Sequence, residues 1–129
     1  MTSTALGFDY GTQKIGIAVG QTVTSTASAL RVIPARDGIP DWRVIEKIIQ
    51  EWKPDILVVG LPLNMDGTES DISKRARTFA NRLTGRFSVP SVMVDERLST
   101  REARAQAEQS EQVDAIAARI ILESWLAAQ

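Results

Sequence analysis

The chain contains neither histidine nor cysteine. A Ser-His-Asp or Cys-His nucleophile is therefore excluded, and so is a zinc site built on His or Cys ligands. Without cysteine no disulfide can form, which suits a reducing compartment. Any catalytic work falls on Asp, Glu, Lys, Arg, Ser or Thr, and oxygen ligands alone favour hard cations such as magnesium or manganese.

Aromatic residues and long apolar runs are also scarce. Aromatics make up 5% of the 129 residues, hydrophobic residues 43% and charged residues 24%, with a net charge of -1. No run approaches the ~20 apolar residues of a membrane span, and the N-terminus lacks the pattern of a signal peptide. This composition predicts a single globular domain over residues 1–129, located in the cytoplasm and without a membrane partner.

The near-neutral net charge hides an uneven distribution. Residues 74–86 carry five basic side chains and no acid, whereas residues 95–114 carry six acids. A basic flank beside an acidic site suits a metal-dependent enzyme that acts on a polyanion. Two solvated helix faces explain the charges on their own equally well, so charge alone does not decide between the two interpretations.

The periodicity of apolar residues predicts the element order β-β-β-α-β-α-β-α-α. Since right-handed crossovers place the later strands parallel to the first, we expect an α/β fold. Its mixed five-stranded sheet has the order 3-2-1-4-5, with strand 2 antiparallel and helices on both faces. The predicted strands are 5–9, 15–20, 28–33, 56–59 and 92–94, and the predicted helices begin after Asp41, after Thr68 or Ser70, at Ser99 and at Val113.

Three acids stand in apolar surroundings. Asp9 closes the first strand, Glu96 follows the last strand, and Asp114 lies on the apolar face of the last helix near its start. In an open α/β sheet, ligands gather beyond the carboxyl ends of the parallel strands. We therefore expect the three carboxylates to meet there. The alternatives are an incidental strand-end acid at Glu96 and an acid favoured by the helix dipole at Asp114.

A cluster of three carboxylates needs compensation. At ~4 Å and an effective dielectric constant near 20, each pair of like charges costs about 4 kcal/mol. Two divalent cations about 4 Å apart would hold such a cluster together, clamp a phosphate and lower the pKa of a bound water. The predicted chemistry is phosphodiester hydrolysis with two Mg²⁺ or Mn²⁺ ions. Asp95 would point away from Glu96, and Asp66 with Gly67 is typical of a turn.

Five segments of the chain form recognisable motifs. They are Phe-Asp-Tyr-Gly-Thr-Gln-Lys-Ile-Gly-Ile-Ala-Val-Gly (8–20), Val-Gly-Leu-Pro-Leu-Asn-Met-Asp-Gly-Thr (59–68), the helix segment 75–83, Asp-Glu-Arg-Leu-Ser-Thr (95–100) and the final helix segment 113–126. Across nearly the whole chain these motifs resemble the YqgF/RuvX family. The resemblance implies an RNase H-like fold related to Holliday-junction resolvases, and a role as the nuclease that matures the 5′ end of precursor 16S ribosomal RNA. The acidic trio of the family matches Asp9, Glu96 and Asp114.

The same resemblance, together with the helix arginines, implies a set of nucleic-acid contacts. Part of the set comes from the Gly-Thr-x-Lys turn, the Pro-Leu-Asn loop and the arginine of Asp-Glu-Arg. The rest comes from one side of the helix after residue 70. Two departures stand out. Gln13 replaces a basic residue, and 106–112 leads almost directly to the last acid where relatives have a longer stretch. The predicted contacts are Gly11, Thr12, Lys14, Asn64, Arg75, Arg82, Arg86 and Arg97.

Four functions remain open from the sequence. The first is a metal-dependent endonuclease on structured RNA, gripping phosphates without sequence readout. The second is a branched-DNA resolvase. Resolvases act as symmetric dimers, so a strictly monomeric protein would count against this function. For the chain itself we expect a monomer or a weak homodimer. The third is a nucleotide-binding module, because residues 9–12 also resemble the phosphate turn of the actin, hexokinase and Hsp70 ATPases. The fourth is a non-catalytic RNA-binding or transcription-associated factor, with ribosomal or transcription components as partners.

Overall fold

A computed structural model describes residues 3–96 and 113–129 of the chain. Arg97, the helix expected from Ser99 and the short stretch 106–112 lie outside the described residues. Across the described ranges, no helix is long and apolar enough to cross a membrane. The elements are β1 (Thr4–Asp9), β2 (Lys14–Gln21), β3 (Thr26–Arg36), β4 (Ile39–Pro40), α1 (Trp42–Trp52), β5 (Ile56–Leu61), α2 (Asp71–Phe87), β6 (Ser91–Asp95) and α3 (Val113–Ala127).

The strands form one sheet with the order β4-β3-β2-β1-β5-β6. β2 is antiparallel to both β1 and β3, whereas β1, β5 and β6 run parallel. The predicted order of five strands and the antiparallel second strand are confirmed. The predicted strand count was too low by one, because β4 pairs only Ile39 and Pro40 with the end of β3. Two residues are too few to show the alternation from which a strand is recognised.

Helices cover both faces of the sheet, as predicted. Successive strand side chains point to opposite faces, so Leu6 and Phe8 pack on the side of α1 and α2. Ala5 and Val58 belong to the second core cluster, on the side of α3. Asp9 is two residues beyond Gly7, whose missing side chain leaves room for the α3 backbone at Ala118. The alternation therefore places Asp9 on the α3 face of the sheet.

Local signals set the helix ends. Asp41 caps α1, and its side chain accepts a hydrogen bond from the Arg43 N–H, which satisfies one of the free donors at the helix start. Lys53 ends α1 in the left-handed conformation at φ 47°. Of the two predicted caps for α2, Ser70 is the one used, in a reciprocal capping box with Ser73.

Candidate active site

The sheet topology brings Asp9 and Glu96 to the same edge. Asp9 is the last residue of β1, and the chain continues from the parallel strand β6 directly into Glu96. The Glu96 N–H donates to the carbonyl oxygen of Leu61, the last residue of β5, at 3.2 Å. Since β1, β5 and β6 are parallel, their carboxyl ends share one edge, and both acids lie there.

Glu96 is held in an unfavourable environment for a charged group. Its relative exposure is 3%, and its Oε2 atom has no hydrogen-bond partner within the described part of the chain. Burial raises the pKa of Glu96 to about 9, and the charge of Asp9 and a hydrogen bond with its carboxyl group add to the effect. The neighbouring Asp95 is exposed, in agreement with the prediction that only one of the two faces inward.

Gly60 makes room for the Glu96 carboxyl group. A Cβ atom at position 60 would lie 2.8 Å from Glu96 Oε2 and 2.5 Å from Ile121 Cδ1. Real Cβ contacts are not that short, so no other residue fits here without movement of both neighbours. The carboxyl group therefore lies over β5 on the α3 face of the sheet, the same face as Asp9.

The start of α3 packs directly onto β2 beside Asp9. Gly16 is the register partner of Asp9 across the β1–β2 pair. A Cβ atom at Gly16 would lie 1.9 Å from the backbone carbonyl oxygen of Asp114. The first turn of α3 therefore rests on the bare backbone of Gly16, one strand away from Asp9.

The structure thus gathers the Asp9 and Glu96 side chains and lays the backbone of Asp114 next to them. In residues 3–96 and 113–129, no three acidic side chains are close enough to form a metal-binding group. Mutual repulsion opposes a tighter cluster of bare carboxylates. The donor chemistry nevertheless fits a hard cation, because Glu96 presents a buried oxygen that has no partner among the described residues, beside a second carboxylate.

Substitution of Gly16 tests the importance of this close approach. We expect Gly16→Ala to lower the free energy of unfolding by about 1–3 kcal/mol or more, because α3 must move away from the added methyl group. Gly85→Ala is the matched control, since no atom of the described part of the chain lies within 4 Å of a Cβ there and alanine favours a helix by about 1 kcal/mol over glycine. Urea denaturation of both variants measures the difference. Equal stability of Gly16→Ala and the wild type would contradict the packing.

Other predicted contact residues lie in the turn and the loop near the same edge. Gly11 and Thr12 lie between β1 and β2, and the Thr12 carbonyl accepts from the Gly38 N–H at 2.8 Å. Lys14 begins β2 and is exposed. Asn64 lies in the exposed loop after β5, where its side chain donates to the Thr68 hydroxyl at 2.9 Å.

The loop after β5 is fixed internally. The Asp66 carboxylate accepts from both the backbone N–H and the hydroxyl of Thr68, so Asp66 has the turn role that the sequence indicated. Ser73 is fully buried, and its hydroxyl donates to the Pro62 carbonyl. The sequence reasoning missed Ser73, Gly16 and Gly60. The one available signal for Ser73 was a small polar residue among the apolar positions of α2.

The predicted arginines of α2 lie on the other face of the sheet. Arg75 and Arg82 line a cavity together with Tyr10, and Tyr10 belongs to the core cluster on the side of α1 and α2. Arg86 places its guanidinium 4.4 Å from the centre of the Trp42 ring. The basic flank that the sequence suggested beside the acids is therefore separated from them by the strands.

Comparison with known proteins places these features in a family context. The family model described as "RuvX: Holliday junction resolvase" matches residues 3–128. A protein of Saccharophagus degradans is 55% identical, over 97% of this chain and 94% of its own length. A protein of Pectobacterium atrosepticum is 56% identical, over 98% and 96%. Both relatives carry the name of a candidate pre-16S rRNA nuclease.

Solved structures show the same fold at low sequence identity. The RuvC protein of T. thermophilus in complex with a Holliday junction substrate aligns with a TM-score of 0.53 and 15% identity, over 92% of this chain and 91% of RuvC. The fowlpox virus resolvase in complex with Holliday junction DNA aligns with a TM-score of 0.59 and 11% identity, over 97% of each chain. The predicted RNase H-like fold is confirmed by these likenesses.

Proposed function

This chain belongs to the RuvX family, and we propose that it is a nuclease that hydrolyses phosphodiester bonds in the 5′-end maturation of precursor 16S ribosomal RNA. The observation that carries the proposal is the buried Glu96 carboxyl group beside Asp9, with one oxygen lacking a partner in the described structure. We also propose a cytoplasmic location, because ribosome assembly takes place there.

Three carboxylates are the proposed ligands of the catalytic ions. Asp9 and Glu96 supply oxygens from the ends of β1 and β6, and Asp114 supplies a third from the start of α3. One or two bound Mg²⁺ or Mn²⁺ ions would supply Lewis acidity and activate the attacking water. The chain itself holds these ligands in place, through Gly60 under Glu96 and Gly16 under the first turn of α3.

Residues at the same edge of the sheet are the proposed contacts for the substrate backbone. Lys14 offers an exposed ammonium group at the start of β2, and the turn at Gly11 and Thr12 offers backbone groups directly after Asp9. Asn64 extends from the loop after β5. We assign the same role to Arg97, directly after Glu96 in sequence. Such contacts orient a phosphate backbone without reading its sequence.

Branched DNA is the second candidate substrate, because the matching family model is described by Holliday junction resolution. The chemistry would be the same on either nucleic acid, since the acids act on the phosphodiester. The two candidates differ in the shape of the substrate and in whether two copies of the chain must act together.

A cleavage assay separates these candidates. The substrates are an RNA fragment that contains the 5′ extension of 16S ribosomal RNA, a four-way DNA junction, and a linear DNA duplex as control. With Mn²⁺ or Mg²⁺ we expect cleavage of the RNA fragment at its 5′ extension, and no cleavage in EDTA. Cleavage of the junction alone would transfer the assignment to the resolvase function, and cleavage of none of the substrates would contradict the nuclease proposal.

A further inference from the structure

A cavity of about 210 Å³ opens between the turn after β3, the start of α1 and one side of α2. Tyr10 forms its floor on the sheet, and its hydroxyl donates to the Gly38 carbonyl at 3.1 Å. Trp42 and Phe79 form an aromatic wall with stacked rings 5.9 Å apart. The cavity therefore combines a rigid apolar side with the polar side contributed by α2.

The polar side of the cavity is cationic. Arg75 and Arg82 both line it, and among the described residues Asp37 is the one acid that does so. Arg75 is already engaged, because its guanidinium donates to the Asp37 carboxylate at 3.1 Å and to the Asp37 backbone carbonyl. Arg82 is exposed and has no ion pair within the described residues. Arg86 adds a further positive charge next to Trp42.

Size and chemistry select the ligand. The cavity volume of about 210 Å³ is less than the ~300 Å³ at which pockets for drug-sized ligands begin. At ~30 Å³ per water, this volume corresponds to about seven waters. A phosphate with its attached sugar is of this size. The planar arginine fork matches phosphate oxygens in a bidentate geometry, and the aromatic wall offers an apolar surface to the sugar.

The cavity is separate from the acids. Asp9 and Tyr10 are neighbours at the end of β1, but their side chains lie on opposite faces of the sheet, because strand side chains alternate and Tyr10 packs against Phe79 of α2. A phosphate held by Arg82 is therefore not the phosphate that the acids would cleave.

We propose that this cavity is a second nucleotide site, in which Arg82 binds the phosphate of one nucleotide unit while Arg75 stays paired with Asp37, and the Trp42 wall contacts the sugar. The phosphate comes either from a free mononucleotide or from a distant part of the substrate strand. The second source rests on the proposed nuclease function, whereas the first does not.

The test compares two arginine variants of the full chain in EDTA, where no cleavage can occur. Arg82→Gln removes the cavity arginine that has no ion pair within residues 3–96 and 113–129. Arg77→Gln is the matched control, because Arg77 lies on the same helix with an equal charge but is paired with Glu69 at 2.9 Å. The probes are uridine 5′-monophosphate and the precursor rRNA fragment. The readouts are the dissociation constants and the NMR shift of the Trp42 indole N–H.

Under the proposal, Arg82→Gln weakens the binding of at least one probe about 10-fold, whereas Arg77→Gln changes the dissociation constant of that probe less than twofold. Arg82→Lys restores part of the affinity. An effect on uridine 5′-monophosphate identifies the free nucleotide as the source. If only RNA binding is affected, and the slope of log affinity against log salt concentration decreases in magnitude by about one, the substrate strand is the source of the phosphate. An unmoved Trp42 resonance, or equal effects of the two glutamine variants, overturns the proposal. Absence of RNA cleavage with intact binding in the cavity contradicts the proposed function alone.

Discussion

Glu96→Gln is expected to lower the rate of RNA cleavage by about 10³-fold or more while the protein stays folded. Loss of a single preorganised electrostatic contact to a transition state typically costs 10²–10³-fold, and this substitution removes a charged ligand oxygen from a buried site. Asp9→Asn is expected to have an effect of similar size, because the two carboxyl groups share one site. Single-turnover cleavage of the precursor fragment in Mn²⁺ measures both effects.

Glu46→Gln is the matched control for this prediction. Glu46 is an exposed acid of α1, and α1 packs on the face of the sheet opposite to Asp9. Its substitution should leave the cleavage rate within about twofold of the wild type. Cleavage by Glu96→Gln at the rate of Glu46→Gln would show that the buried carboxylate does not participate. Asp114→Asn extends the test to the start of α3, where loss of activity would support its role as the third ligand.

The same Glu96→Gln substitution is expected to stabilise the protein at high pH when no metal is present. The pKa of Glu96 is about 9 in the folded protein and 4.5 in an ordinary glutamate. Between these values the folded chain keeps a proton that the unfolded chain has lost, so the free energy of unfolding falls as the pH rises. The glutamine variant lacks this dependence. At pH 8.5 in EDTA it should be more stable by about 1 kcal/mol or more, because retention of the proton in the folded state costs the wild type free energy that the neutral amide does not lose.

Urea denaturation at pH 5.5 and pH 8.5 measures the effect, with Glu46→Gln as the control for loss of an exposed acid. The advantage of Glu96→Gln should shrink at pH 5.5, because this pH is only about one unit above the pKa of an ordinary glutamate, so the unfolded chain gains little by losing the proton. Mn²⁺ should reduce the advantage at pH 8.5, since ligand at 100 times its dissociation constant stabilises the folded state by about 2.7 kcal/mol. An identical pH dependence in the two glutamine variants would contradict the buried position of Glu96.

The prediction of the fold from the sequence was accurate where local patterns are strong. The short apolar runs gave the strands, the spacing of apolar residues gave α1, α2 and α3, and Asp41 is the cap that its residue type indicated. Right-handed crossovers then left one arrangement of the central strands. β4 was not predicted, because Ile39 and Pro40 pair with the end of β3 across a turn. Two residues are too few to show a strand pattern of their own.

Part of the placement of the candidate site followed from the sequence, whereas the catalytic roles of its residues stay predictions. The acids Asp9 and Glu96 were recognised because an acid directly after an apolar strand needs a reason, and the structure places them at one edge. The side of the sheet on which the α2 arginines lie was not predicted. A helical wheel shows which residues share a face of α2, but it does not show which face of the sheet the helix covers.

The sequence by itself determined the available chemistry of this protein, because the absence of His and Cys leaves carboxylates and hard cations, and it determined the order of the strands through local patterns. Only the tertiary structure decided how deeply Glu96 is buried and how closely α3 approaches Gly16. The same holds for the separation of the arginines from the acids. These properties depend on contacts between residues distant in the chain, and no local periodicity encodes such contacts.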